Sequence, residues 1–291
     1  MLVLGFAEFE HQAKALAEQL HCPYKRVDVH RFPDGEALVK VPAMLPGHVI
    51  ICRSLNQPDA KLIELLLTIA AAREHGADKV TLVAPYLCYL RQDKAFNPGE
   101  AVSQKIIGKF LADQIDELVS VDAHLHRVTH LQLAVPCRRA VNLSAVPLMV
   151  SFLRDNLDNP ILIGPDRESE QWVAALAKAR NLDYIVCHKQ RLGDRRVHVA
   201  LPESADVTKR EAVIVDDMIT TGHTVMEAAR ALLAAGAAKV HCLVTHPLFV
   251  DEADTLLHEA GVAQIWSTDS VTHSTNAIAL APLLAQAIKQ S

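Results

Sequence analysis

The chain has 291 residues, half of them hydrophobic and 22% charged, with 11 Gly and 14 Pro. At roughly 150 residues per domain this suggests two folded domains and excludes a disordered or collagen-like chain. A formal charge of -5, from 29 Lys and Arg against 34 Asp and Glu, gives no global attraction to nucleic acid or anionic lipid. The expected partner is therefore a small ligand, with a local basic pocket left for phosphate. No apolar run approaches the ~18 residues that span a bilayer, so no membrane segment is expected. The first ten residues lack a basic n-region and meet Glu8 and Glu10 early, unlike a signal peptide. Six widely spaced cysteines without a C-x-x-C fit reduced, buried thiols in a cytoplasmic protein.

In chain order, apolar runs predict strands over 49–52, 80–84, 118–121, 161–163, 184–187, 212–215 and 240–245. Between them, apolar residues at three- and four-residue spacing predict helices over 62–75, 104–112, 168–179 and 224–235. Strand and helix alternate, which specifies an α/β chain with mainly parallel sheets. The segment GADKV at 76–80 returns as GAAKV at 236–240, and VII at 49–51 returns as VIV at 213–215. The chain thus reads as an internal duplication, with domains 1–144 and 145–291 and a junction within 136–147. The halves diverge after the matched strand: Asp216 and Asp217 open a small-residue loop in the second, where the first has CRSLNQP at 52–58.

That second copy, AVIVDDMITTGHT at 212–224, is the most informative segment. A buried strand ends in two carboxylates, and a Thr/Gly loop then opens an amphipathic helix. Ligands of open α/β sheets bind at this carboxyl edge, where a helix start offers free N–H groups to phosphate. The acids suit ribose hydroxyls or, through water, a metal. A plain helix cap is the competing reading, disfavoured by two acids directly after an apolar strand. RFPDGE at 31–36 is, taken alone, a turn between strands. PYLCYLRQDK at 85–94 follows the 80–84 strand and carries Arg91 and Gln92, either a solvated charge run or a phosphate grip at the sheet edge. Asp122-Ala123-His124 follows a third strand. His126 and His130 stand four apart, but no third ligand of suitable spacing makes a zinc site. Gly164-Pro165-Asp166 closes the 161–163 strand, and Lys189 and Arg191 precede a hairpin-like turn at Gly193-Asp194, followed by Arg195-Arg196. There is no GxxxxGK[ST] and no pair of glycines two apart, which disfavours P-loop and nicotinamide-type Rossmann enzymes.

In kind and order these motifs resemble the ribose-phosphate diphosphokinase (phosphoribosyl pyrophosphate synthetase) family, from Arg31 to about Pro247. The resemblance implies two phosphoribosyltransferase-type domains and transfer of the diphosphoryl group of ATP to ribose 5-phosphate, giving phosphoribosyl pyrophosphate and AMP. It assigns Asp216, Asp217, Thr220, Thr221, Gly222, His223 and Thr224 to the ribose phosphate, and Lys189 and Arg191 to catalysis. Phe32, Asp34, Glu36, Arg91 and Gln92 would bind ATP, the first three reaching a neighbouring subunit's adenine in a dimer or hexamer. His124 and Asp166 would serve Mg2+. Two other readings stay open: a phosphoribosyltransferase that consumes this product, and a non-catalytic paralogue of the synthetase. The chain departs from the family pattern at His223, usually Gly, and at Arg167-Glu168-Ser169, often His-Gly-Gly. It also lacks the basic run after RQDK, so phosphate activation is not expected unless Arg53, Arg138 or Arg139 replaces it.

Overall fold

The computed structural model describes every residue except 126, 192–196, 203–204 and 291, and every side chain except these and those of 189–191 and 197–199. Two compact units form. The first contains β1 (Leu2–Gly5), α1 (Glu10–Leu20), β2 (Tyr24–Arg26), β3 (Asp28–Arg31), β4 (Ala37–Lys40), β5 (His48–Cys52) and α2 (Pro58–Glu74). It continues through β6 (Lys79–Val83), α3 (Ser103–Ala112), β7 (Glu117–Val121), α4 (Leu131–Ala134) and β8 (Arg139–Leu143). The second runs from α5 (Val146–Asn156) through β9 (Ile161–Gly164), α6 (Glu170–Arg180), β10 (Tyr184–Val186), β11 (His188–Arg191) and β12 (Val197–Ala200). It ends with β13 (Glu211–Ile219), α7 (His223–Ala234), β14 (Lys239–Pro247), α8 (Ala253–Glu259), β15 (Val262–Thr268) and β16 (Asn276–Ile278).

Each unit has a six-stranded parallel sheet, ordered β2-β1-β5-β6-β7-β8 in the first and β10-β9-β13-β14-β15-β16 in the second. The orders correspond strand for strand, and each unit adds an antiparallel hairpin after its second strand, β3–β4 or β11–β12. Central strands such as VIIC in β5 and ILI in β9 are apolar on both faces because helices cover both faces of a parallel sheet. Their side chains are buried to 2% exposure or less.

The repeated GA-x-KV segment has a local cause. Gly76 and Gly236 take positive φ, 111° and 90°, at the ends of α2 and α7. The Gly76 and Gly236 amides bond to Arg73 O and Leu233 O, while those of Ala77 and Ala237 reach back to Ala72 O and Leu232 O. This is a Schellman-type stop that turns each helix into the next strand. Only glycine adopts that φ without a Cβ clash.

Two features depart from the sequence expectation. β13 extends to Ile219, past the predicted end at 215, because Asp216, Met218 and Ile219 keep pairing with Val244, His246 and Pro247 of β14. The final helix, α9 (Ala281–Lys289), placed in the second half by sequence position, belongs to the first unit together with Ser270–Thr272. It packs on α1, β7 and β8. Lys289 Nζ donates to Gln19 O (2.8 Å) and Arg139 Nη2 to Ala287 O (3.2 Å). Leu284, Ala285 and Ile288 are buried there. Removing a buried leucine side chain loses transfer energy and leaves a cavity, so Leu284→Ala should destabilise by ~2–4 kcal/mol in denaturant titration. Lys14→Ala, on an exposed side chain, should stay within ~0.5 kcal/mol.

Candidate functional site

In the second unit the acids assemble at the carboxyl edge of the sheet. β9 and β13 are neighbours, with Ile163 opposite Ile214. The residues that follow, Asp166 after β9 and Asp216 and Asp217 within β13, therefore arrive at the same edge. Asp217 is buried and Asp216 is half-buried, its Oδ1 accepting the Asp217 amide at 3.0 Å. Burial first, then the charges of Asp217 and Asp166, push the Asp216 carboxyl well above the usual carboxylate range. The cluster therefore favours an arriving proton, cation or hydroxyl donor.

Loop 220–222 follows, and Gly222 precedes α7 in the left-handed region at φ 72°. The first intrahelical bond of α7 runs from the Met226 amide to Gly222 O (2.8 Å), so the amides of His223, Thr224 and Val225 have no intrahelical acceptor. The N-cap position is Gly222, which has no side chain to cap this end. Thr221 and His223 are exposed and Thr220 and Thr224 half-buried. A residue with a Cβ at position 223, where the family usually has Gly, requires that any positive φ of the loop fall elsewhere. In the structure the positive φ falls on Gly222, and His223 is the first helical residue. The loop is backed by the β14–α8 connection: Leu248 N donates to Ile219 O (2.9 Å) and Val250 N to Thr220 O (3.2 Å).

Asp166 sits in a tight turn that the sequence left undefined. Its Oδ1 accepts the amides of Glu168 (3.0 Å) and Ser169 (3.3 Å). Ser169 is fully buried, and its hydroxyl donates to Asp166 O at 2.6 Å. A Cβ on Gly164 would stand 2.7 Å from that hydroxyl, so Gly164 makes the room for Ser169. Arg167 and Glu168 fit by pointing into solvent. Ser169 fixes the turn that carries Asp166, a role that sequence reasoning missed because a serine before a helix resembles any cap. Lys189 and Arg191 lie on β11, opposite Val199 and Val197 of β12. Their side chains, and the turn with Gly193, Asp194, Arg195 and Arg196, lie outside the described residues, as does His126.

In the first unit, the loops after β6 and β7 share the carboxyl edge of the sheet, because the two strands pair. Arg91 is exposed, while Gln92 accepts a hydrogen bond from the Ser103 hydroxyl at the start of α3 and its carbonyl accepts the Gln104 amide (3.2 Å). His124 is half-buried after Asp122, whose backbone is left-handed at φ 39°. An Asp93–Arg127 ion pair (3.5 Å) links the two loops, a tie that no sequence spacing indicated. The 31–36 motif forms the tip of the β3–β4 hairpin. Phe32 N donates to Glu36 O (2.9 Å), Asp34 Oδ1 accepts the Glu36 amide (3.1 Å), and Gly35 takes φ 94°. Phe32 is 42% exposed, edge-on to His30, with Asp34 and Glu36 exposed beside it.

A cavity of about 550 Å³ also opens in this unit, lined by Phe6, Glu8, Arg31, Arg53 and Glu64 among others. Its charges satisfy one another. Buried Arg53 pairs with Glu8 (2.7 Å) and Glu64, stacks over Phe6 at 3.7 Å, and Arg31 also pairs with Glu64. Arg53, one of the candidate replacement cations from sequence, is thus already engaged within this unit.

His124 and Asp166 fall in different units. Among the described residues no three His, Cys, Asp or Glu converge into a metal cage. The donor chemistry at Asp166, Asp216 and Asp217 nevertheless suits a hard cation, which Mg2+ exemplifies: it is held by one or two carboxylates with waters and substrate phosphates completing its shell.

A family profile described as the N-terminal domain of ribose phosphate pyrophosphokinase matches residues 1–114, and a phosphoribosyl transferase domain profile matches 147–276. A ribose-phosphate pyrophosphokinase from Methanopyrus kandleri is 36% identical over 99% of both chains. One from Methanothermobacter thermautotrophicus is 34% identical over 99% of this chain and 100% of its own. The crystal structure of phosphoribosylpyrophosphate synthetase from Mycobacterium smegmatis has the same fold, with a TM-score of 0.83 at 24% identity over 99% of this chain and 97% of that one. Among the described residues no helix is long and apolar enough to cross a membrane.

The raised Asp216 pKa has a stability consequence. A carboxyl whose folded pKa exceeds its unfolded value contributes stability below the unfolded value, near ~4, and loses it as pH rises through the folded value. Asp216→Asn should therefore melt at a higher temperature than wild type at pH 7–8 without ligand, the gap closing as pH falls below ~4. Thermal denaturation across that range measures it.

Proposed function

Because this chain belongs to the ribose-phosphate pyrophosphokinase family of diphosphotransferases, we propose that it transfers the β,γ-diphosphoryl group of ATP to the anomeric hydroxyl of ribose 5-phosphate. The products are phosphoribosyl pyrophosphate and AMP. The observation that carries this reading is the pairing of an acid cluster with an uncapped helix start on one sheet edge, Asp166, Asp216 and Asp217 beside 220–224. A sugar phosphate presents hydroxyls to the acids and its phosphate to the amides at one stroke.

In this scheme the amides and hydroxyls of Thr220, Thr221, Gly222, His223 and Thr224 hold the 5-phosphate. Asp216 and Asp217 accept hydrogen bonds from the ribose hydroxyls and so orient the anomeric oxygen, which is itself the nucleophile. The bond between it and the β-phosphorus forms as the bond from that phosphorus to the α-phosphate oxygen breaks; the hydroxyl proton passes to solvent, and AMP departs with the bridging oxygen. Lys189 and Arg191 offset the charge that builds on the phosphoryl oxygens and the leaving group. Arg91 and Gln92 grip the nucleotide. The exposed tip with Phe32, Asp34 and Glu36 offers a ring face and acceptors for the exocyclic amine of adenine, in the active site of a neighbouring copy of a homo-oligomer. Asp166 is the residue of the second unit that would hold Mg2+, which when bound neutralises phosphate oxygens.

AMP release from ATP should require ribose 5-phosphate. Lys189→Ala and Arg191→Ala should each lower turnover by ~100-fold or more, as expected when one transition-state charge stabiliser is lost, with little change in thermal midpoint. Near wild-type turnover in both would remove them from catalysis. Consumption of phosphoribosyl pyrophosphate with a base, without AMP formation, would indicate a phosphoribosyltransferase. No turnover at all would indicate a regulatory paralogue.

A further inference from the structure

The loop that carries Gly222 does not stand alone. Behind it the chain leaves β14 and turns into α8 through Asp251 and Glu252, both left-handed at φ 52° and 58°. Two successive non-glycine residues in that region are unfavourable and persist only where the surroundings over-determine them. This turn presents the amides of Leu248 and Val250 to Ile219 O and Thr220 O. It also seats α8 so that Ala253 and Leu257 lie 3.5–3.7 Å from where a Cβ on Gly222 would be.

One side chain grips this turn from outside. His273, in the segment between β15 and β16, packs its ring on Phe249 at a centroid distance of 4.8 Å. Its Nδ1 accepts the Thr275 amide (3.3 Å) and lies 3.0 Å from the Thr275 hydroxyl. Accepting at Nδ1 leaves the proton of the neutral ring on Nε2, which faces Asp254 Oδ2 at 3.9 Å in the first turn of α8. Phe249 and Asp254 bracket the strained turn, and His273 touches both. Thr275 is anchored in turn to Ser267 by a 2.8 Å hydroxyl contact, and the Thr275 carbonyl accepts the Ser267 amide (2.9 Å), so the ring is referred to the sheet itself.

We propose that His273 is a positioning residue for the phosphate loop: by bridging Phe249, Asp254 and Thr275 it holds the 248–254 connection in the conformation that supports 220–222. The proposal rests on the reading of that loop as the 5-phosphate site. It never meets the reacting atoms, and its effect falls on ribose 5-phosphate.

The full-length chain tests it. His273→Ala should raise the Kd for ribose 5-phosphate by ~10-fold or more, since small misplacements of binding groups have effects of that order or greater. The KM for ATP and the thermal midpoint should change little. Amide hydrogen exchange at Leu248 and Val250 should quicken while β9 amides keep their protection. His273→Gln, which retains a polar N–H toward Asp254, should recover part of the affinity. Asp254→Asn should shift ribose 5-phosphate binding in the same direction, and it carries the test if His273→Ala fails to fold. Unchanged ribose 5-phosphate affinity in the folded variants would overturn the proposal, as would parallel losses in both KM values and the midpoint, which indicate general destabilisation. Wild-type protein that does not bind ribose 5-phosphate would overturn the site reading and this proposal together. Binding that is lost in Thr221→Ala or Gly222→Ala but intact in His273→Ala would overturn only the role of His273.

Discussion

Negative charge held against burial is the constraint around which the second unit is arranged. Asp216 is half-buried with Asp217 and Asp166 nearby, and burial together with those charges raises its carboxyl above the usual carboxylate range, so its ionised form is disfavoured until something arrives to compensate it. The fold sustains that arrangement because β9 and β13 are hydrogen-bonded neighbours with large buried apolar flanks, which outweigh the local electrostatic penalty. Immediately beyond, the backbone offers the opposite polarity at the start of α7. The edge therefore complements a molecule with hydroxyls at one end and an anion at the other.

The first unit shows what the same topology becomes without that constraint. The strand corresponding to β13 is β5, and it leads to Arg53 in place of paired acids. Arg53 is neutralised by Glu8 and Glu64 and laid on Phe6, which makes the sheet edge electrostatically self-sufficient. Both loops reach their helices through one left-handed residue, Gln57 at φ 50° and Gly222 at φ 72°. The shared backbone path survives while the chemistry diverges. Such an outcome fits a duplication in which one copy carries paired acids at the sheet edge and the other a self-compensated arginine.

Much of this is legible in the sequence. Fully apolar runs named the central strands, and the GA-x-KV echo named the duplication because a helix stop at positive φ demands glycine wherever it recurs. Less legible were features whose cause lies far along the chain. β13 runs on through Asp216 to Ile219 because β14 offers partners there, against the usual depletion of Asp from strands. Ser169 fits under Gly164 through a contact that neither residue announces. Asp93 meets Arg127, and His273 meets Phe249 and Asp254, across separations at which sequence carries no signal.

Periodicity, turn chemistry and motif order were local properties, and from them the sequence by itself determined an α/β chain of two duplicated halves, its glycine helix stops and the family of its sugar-phosphate loop. Tertiary structure alone decided which unit α9 completes, since its apolar face is matched by α1 some 270 positions earlier. It likewise decided that three separate aspartates share one electrostatic field, and that loop 220–222 leans on a turn with two left-handed residues. Burial and proximity set those outcomes, and both come into being only when distant segments pack.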